Sequence, residues 1–170
     1  MTGCQVTGSP HDAALSFVAW SRIFSPLAST EWRDEAWQRL ELPGNWADSE
    51  SAFWSAFQLG FPAPDVTLLL HAALGREGGT VREDWMRVIA HLGLSWGDRS
   101  LPPDHLGVAC EVLACAIVQE EPVLIRELCK RYLEPWCQAA TARLGGRSDG
   151  LDRIPVRFAA DLRALGSAHS

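Results

Sequence analysis

No block of lysine or arginine occurs anywhere in the 170 residues, and acidic side chains outnumber basic ones by 21 to 15, a net charge of −6. Nucleic-acid phosphates and anionic membrane surfaces both call for a basic face, so neither is expected as a partner. Long apolar runs are missing as well. The longest, Val108 to Val118, covers 11 residues and is broken by Glu111, well short of the roughly 18 or more that span a bilayer. The stretch Met1 to Trp20 has no Lys or Arg ahead of its apolar residues and carries His11 and Asp12 instead. That is not the layout of a secretory leader, and a cytoplasmic protein is expected.

The five cysteines, Cys4, Cys110, Cys115, Cys129 and Cys137, are odd in number. A domain of this size buries enough apolar surface to need no staples, so they read as reduced thiols. Cys110 and Cys115 stand five positions apart and Cys129 and Cys137 eight, with no matching second pair to complete a structural zinc site, and no metal or other cofactor is expected. No Gly-rich phosphate loop, His-Glu-x-x-His or Gly-x-Ser-x-Gly elbow is present, which removes the common nucleotide-binding and hydrolase templates. Pro and Gly together number 10 and 14 of 170 residues, too few for a low-complexity chain.

What is present is one helical pattern after another. Ser9-Pro10-His11-Asp12 reads as a cap with proline at the first helical position, opening a helix to about residue 25. Thr30-Glu31 opens a second, with Trp32, Ala36, Trp37 and Leu40 on one stripe. Asp48-Ser49 starts a third, and a fourth spans about 65–74 after the stiff Phe61-Pro62-Ala63-Pro64. Thr80-x-x-Glu83 is a capping box for a fifth, with Val81, Trp85, Val88, Ile89 and Leu92 at helical spacing. Asp104 caps a helix that is apolar on two faces and therefore central. Residues 123–133 and a run bent by Pro135-Trp136 follow, and a last helix covers about 156–165. The expected fold is all-α, a single-domain bundle of about seven to eight helices over residues 1–170, with 1–8 and 166–170 as loose ends.

Eight tryptophans exceed what a small helical core requires. Most lie on apolar stripes, but Trp46 and Trp96 fall in expected loops, where an amphipathic ring marks a recognition surface. Clusters such as Glu31, Asp34, Glu35 and Glu120-Glu121 suit a basic partner.

The run Leu101-Pro102-Pro103-Asp104-His105-Leu106 resembles the hallmark of the TorD/DmsD/NarJ family of redox-enzyme maturation chaperones, roughly Pro-Asp-His-(Ile or Leu)-x-x-Glu-Leu-x-Phe. Two further landmarks are similar to that family: Phe24-Ser25-Pro26 at the end of the first helix, and Leu128 to Trp136 with its Pro-Trp pair. The run from Leu68 to Glu121 looks most like the branch serving type II dimethyl-sulfoxide-reductase-like molybdoenzymes. One departure stands out. Where the pattern has Glu four residues after His, this chain has Ala109, and its nearest acid, Glu111, is about 200° round the helix at roughly 100° per residue.

The resemblance implies a cytoplasmic, non-catalytic chaperone, monomeric or weakly dimeric. It would bind the apo catalytic subunit of a molybdoenzyme, and its twin-arginine leader, until the molybdenum cofactor is inserted. Pro102, Pro103, Asp104, His105, Leu106, Trp96 and Trp136 are the partner-binding residues it points to. The alternatives are a nitrate reductase assembly chaperone of the same fold, and a small helical enzyme using His105 with Asp104 or Glu111 as acid-base groups.

Overall fold

The computed structural model describes residues 9–96 and 100–168, so Cys4 and the loose end expected over 1–8 lie outside the described residues. The described chain is all-α: α1 (Pro10–Phe24), α2 (Thr30–Arg39), α3 (Trp46–Trp54), α4 (Leu70–Ala73), α5 (Gly78–His91), α6 (Leu106–Val118), α7 (Pro122–Leu128), α8 (Glu134–Leu144) and α9 (Arg153–Ala168). Single π-type turns extend α3 (Ser55–Leu59) and join α7 to α8 (Cys129–Leu133). Because α7, its π turn and α8 follow without a break, the bundle has eight rods among the described residues.

Local chemistry sets the first helix as expected. The Ser9 hydroxyl accepts from the Asp12 amide at 3.2 Å, and Pro10 occupies the first turn, where its missing N–H costs nothing. The centre is α6, ten of whose thirteen residues are buried. Helix α1 packs along it more extensively than any other pair. Gly107 lets the backbones approach: a Cβ there would stand 3.3 Å from both Ser21 O and Ser25 N of α1.

Phe24, at the end of α1, gathers the rest of the core. Its ring lies 5.5 Å from Trp20, 6.4 Å from Phe53 and Phe57, and 5.6 Å from Trp136 and Phe158. Four elements, α1, α3 with its π extension, α8 and α9, thus meet at one side chain, through contacts worth about 0.5–1.5 kcal/mol each beyond area burial. Trp20 Nε1–H adds a 2.8 Å bond to Asp161 of α9, where burial pushes the carboxyl up.

Several boundaries differ from the sequence reading, each for a local reason. Helix α3 starts at Trp46, two residues early, because Asn45 rather than Asp48 is the cap and accepts from the Asp48 amide at 2.8 Å. Trp46 is therefore not a loop residue; it is wholly buried beside Trp37 and Phe53. Helix α5 starts behind Glu77, whose carboxylate takes the Gly79 and Thr80 amides at 2.7 and 2.6 Å, so Thr80 is not the cap. Those bonds hold the exposed Glu77 carboxyl down at about 2. The bend expected at Pro135 is absorbed as the π turn ahead of it. Helix α9 runs on to Ala168, further than the expected end at about 165, and 169–170 lie outside the described residues.

The helix expected over 65–74 shrinks to α4. Leu68 C=O accepts from Leu106 N at 2.8 Å and Leu70 N donates to Asp104 O at 3.0 Å, an isolated antiparallel bridge that holds this stretch extended.

Gly60 closes the tight turn between α3 and that extended stretch. A Cβ there would lie 2.6 Å from Ser55 O and 2.8 Å from both Ala63 O and Pro64 Cα, all backbone atoms that cannot swing aside. Gly60→Ala is expected to lower stability by about 1–3 kcal/mol, read as a lower urea midpoint with an unchanged slope. An unaltered midpoint would show that the turn relaxes freely.

Candidate functional site

The Asp-His pair sits where the Leu68–Leu70 bridge meets the start of α6. Asp104 is not the helix cap. Its backbone carbonyl is spent on Leu70, and its side chain, with no exposed surface, turns toward α4 and α5. There one carboxylate oxygen accepts from the His71 amide at 3.2 Å and from the His71 ring Nδ1–H, while the other accepts from Arg82 Nε–H at 3.1 Å. Burial pushes the Asp104 carboxyl up, but the three hydrogen bonds and the nearby charge outweigh it and hold the group below the ordinary carboxylate range.

His105 is the cap instead. Its Nδ1 accepts from the Gly107 amide at 3.1 Å, so a neutral ring carries its proton on Nε2. The side chain is only 5% exposed. Burial drives its pKa down to about 4, the neighbouring Asp104 charge offsetting only part of the effect. His105 is thus a neutral structural acceptor and not a solvated surface imidazole.

The other residues to which the sequence pointed divide in the same way. Leu106 and Trp136 have no exposed surface, and Trp136 Nε1–H donates to Thr67 O at 3.0 Å inside the core. A partner cannot reach either in this conformation. Pro102 and Pro103 are partly buried, Pro102 O accepting from His105 N at 3.0 Å. Trp96 is partly buried against the core. The motif is a joint that fixes α4, α5 and α6 to one another.

What the joint presents is a groove of about 850 Å³ between α1 and α6, walled by the α1–α2 connection and the first turn of α2. Val108, Ala114, Cys115 and Val118 line it from α6, with Ala14, Leu15 and Val18 from α1 and Leu27, Ala28 and Trp32 from the wall. Several of these are unusually open for apolar groups: Leu27 is 63%, Trp32 56% and Val118 66% exposed. The stripe expected on α2 is buried at Ala36, Trp37 and Leu40 but not at Trp32, because Arg33 takes the place on that face. Buried Arg33 donates to Ser25 O at 2.8 Å and lies 5.3 Å from Trp46 and 4.9 Å from Trp54, which leaves Trp32 facing outward. Arg22 then stacks over the Trp32 ring at 5.3 Å and pairs with Glu35 at 3.2 Å. The sequence held one signal of this surface. A helix apolar on two faces has a second face to cover, and that face of α6 is the groove floor.

Among the described residues, no group of three His, Cys, Asp or Glu is placed to hold a metal ion, and no helix is long and apolar enough to cross a membrane. Cys110, Cys129 and Cys137 are free, buried thiols; burial pushes Cys129 and Cys137 up to about 12 and Cys110 well above its ordinary value. They act as small apolar groups and not as nucleophiles.

The joint makes stability depend on pH. His105 has a folded pKa of about 4 against an ordinary 6.5, so as pH falls below 6.5 the unfolded chain takes up a proton that the folded chain refuses. Stability is full above pH 6.5 and declines by about 3 kcal/mol as pH approaches 4. Asp104, with its lowered pKa, adds a further loss below its ordinary 3.8. His105→Asn, which keeps an acceptor without a titrating ring, is expected to flatten the pH 4–6.5 limb in denaturant titrations; an equally steep limb in the variant would place the effect elsewhere. Asp104→Asn loses the charge that two donor groups share and is expected to cost about 2 kcal/mol, a fall of roughly 4–8 °C in Tm.

No protein-family model, curated protein or solved structure matches the chain. The functional reading therefore stands on the joint, the groove and the motif that builds them.

Proposed function

We propose that the protein is a cytoplasmic chaperone of the TorD/DmsD/NarJ kind. It holds the apo catalytic subunit of a type II dimethyl-sulfoxide-reductase-like molybdoenzyme, with its leader, until the molybdenum cofactor is inserted. The observation that carries this reading is the groove: wide, open, walled by exposed Leu27, Trp32 and Val118, and set in a protein of net charge −6. Enzymes of small molecules use enclosed pockets with convergent polar groups. A polypeptide segment needs a long open trough with apolar walls.

The geometry does not favour the small-enzyme alternative. The Nδ1 lone pair of His105 is occupied by the Gly107 amide, Asp104 is saturated by His71 and Arg82, and Glu111 lies apart from both in the groove. In the chaperone reading Asp104 and His105 frame the surface that a client meets, and Trp32, Leu27 and Val118 take over the contact role that the motif suggested for Trp96 and Trp136.

Selectivity for the unfinished client follows from differential binding. A segment accessible in the open apo subunit and packed away in the closed holoenzyme binds the groove only in the first state, so cofactor insertion releases it. Net negative charge speeds encounter with a basic segment, and apolar burial sets how long it stays.

The test is surface-immobilised chaperone presented with apo and cofactor-loaded forms of one such catalytic subunit. The apo form is expected to bind and the loaded form to bind at least tenfold more weakly. Trp32→Ala removes a ring that buries about 150–250 Å² when fully covered. At roughly 25 cal/mol per Å² it is expected to speed dissociation tenfold or more, whereas added salt should slow association alone. Equal binding of both forms, or dissociation unmoved by Trp32→Ala together with Val118→Asp, would overturn the proposal.

A further inference from the structure

A second apolar feature stands outside the groove, uncovered by the described chain. Between α3 and the extended stretch before α4 the backbone forms a tip, Leu59-Gly60-Phe61-Pro62-Ala63, in which Leu59 is 74% and Phe61 99% exposed. From Ser51 to Pro64 no residue carries a charge. The tip is also held in place. Val66 N donates to Ala56 O at 3.0 Å across its base, Asp65 pairs with Arg147 at 2.6 Å beside it, and Gly60 is wedged among backbone atoms of Ser55, Ala63 and Pro64. A fixed protrusion loses little conformational freedom on entering a recess, so its aromatic ring is already set out for contact.

We propose that the tip of one copy of this chain seats in the α1–α6 groove of a second copy, closing that groove while no client is present. Tip and groove do not meet within one chain, because no residue from 55 to 66 is among the described residues that line the groove. The recess has the matching chemistry: its exposed Leu27, Trp32 and Val118 are as apolar as Leu59 and Phe61. Charge points the same way. The strongly charged side chains on the lining are already engaged, Arg22 by Glu35 and the Trp32 ring and Glu111 by an interaction of its own, so an uncharged tip enters without stripping either. Area sets the strength. Phe61 offers about 150–250 Å², and with its neighbours one tip in one groove buries on the order of 800 Å² over both copies, under the roughly 1,200 Å² at which stable interfaces begin. The contact is therefore weak and head to tail: it shields an apolar trough at high concentration, and a client displaces it by mass action. The inference rests on the groove being a site for polypeptide and adds that the free chaperone fills the site with itself.

Sedimentation velocity of the full chain is the test. Average mass is expected to rise with concentration, with a Kd weaker than about 1 µM, since even interfaces of standard size range down to micromolar affinity. Added salt should strengthen this association, because two copies of charge −6 repel one another. Phe61→Asp removes the tip and Val118→Asp spoils the groove; both positions are exposed, and each variant is expected to keep the wild-type Tm while associating at least tenfold more weakly. Mixed, the two variants should form a one-to-one heterodimer and stop there, the intact tip of Val118→Asp entering the intact groove of Phe61→Asp. A wild-type chain that stays monomeric up to its solubility limit overturns the proposal. Association that survives Phe61→Asp but not Val118→Asp means groove on groove, the converse means tip on tip, and a mixture that stays monomeric removes the head-to-tail contact; each of these overturns it as well. Binding of the apo catalytic subunit decides the client reading separately. Phe61→Asp should bind that subunit at least as tightly as the wild type does, and a loss of binding there would make the tip a client contact and overturn the self-capping role.

Discussion

One buried carboxylate organises this fold. Asp104 has no exposed surface and accepts from the His71 amide, the His71 ring and Arg82, while its own carbonyl accepts from Leu70. A charge taken out of water costs several kcal/mol unless its lone pairs are met. Here the donors come from α4 and α5, and the acceptor stands two residues ahead of α6, so satisfying the charge requires all three helices to be in place at once. The interaction adds little to net stability and much to uniqueness, because an arrangement that separates these helices strands the carboxylate. His105 and Gly107 extend the constraint: the ring caps α6 through the Gly107 amide, and the absence of a side chain at 107 lets α1 settle against α6. The groove floor and its α1 wall are consequences of that joint.

How far the sequence could be read depended on the range of the interaction. Local chemistry was legible in outline, although the caps Asn45 and Glu77 lie three residues ahead of the Asp48 and Thr80 expected. Ser9-Pro10 placed the start of α1, and the two apolar faces of residues 106–118 identified the central helix. Interactions that cross the chain were not. Asp104 and His105 both have the chemistry of a cap, and only the position of His71, 33 residues away, decides that the aspartate turns outward from α6 and the histidine takes the cap. The extended stretch before α4 likewise depends on Leu106, far along the chain. Trp32 and Trp136 show the same limit for the site. Periodicity places both on apolar faces, yet it does not say which face finds a neighbour. Trp136 meets Phe24, Phe57 and Phe158, whereas Trp32 is turned out by the burial of the next residue, Arg33.

The relation between joint and groove also accounts for the way this chain departs from the motif it resembles. Four residues after His105 stands Ala109, wholly buried against the core of α6. A glutamate there would be a second buried carboxylate needing partners of its own. Arg82, the cation at the joint, is already engaged by Asp104. The acid two residues further on, Glu111, is exposed on the groove floor, so the core of α6 is spared a second buried charge.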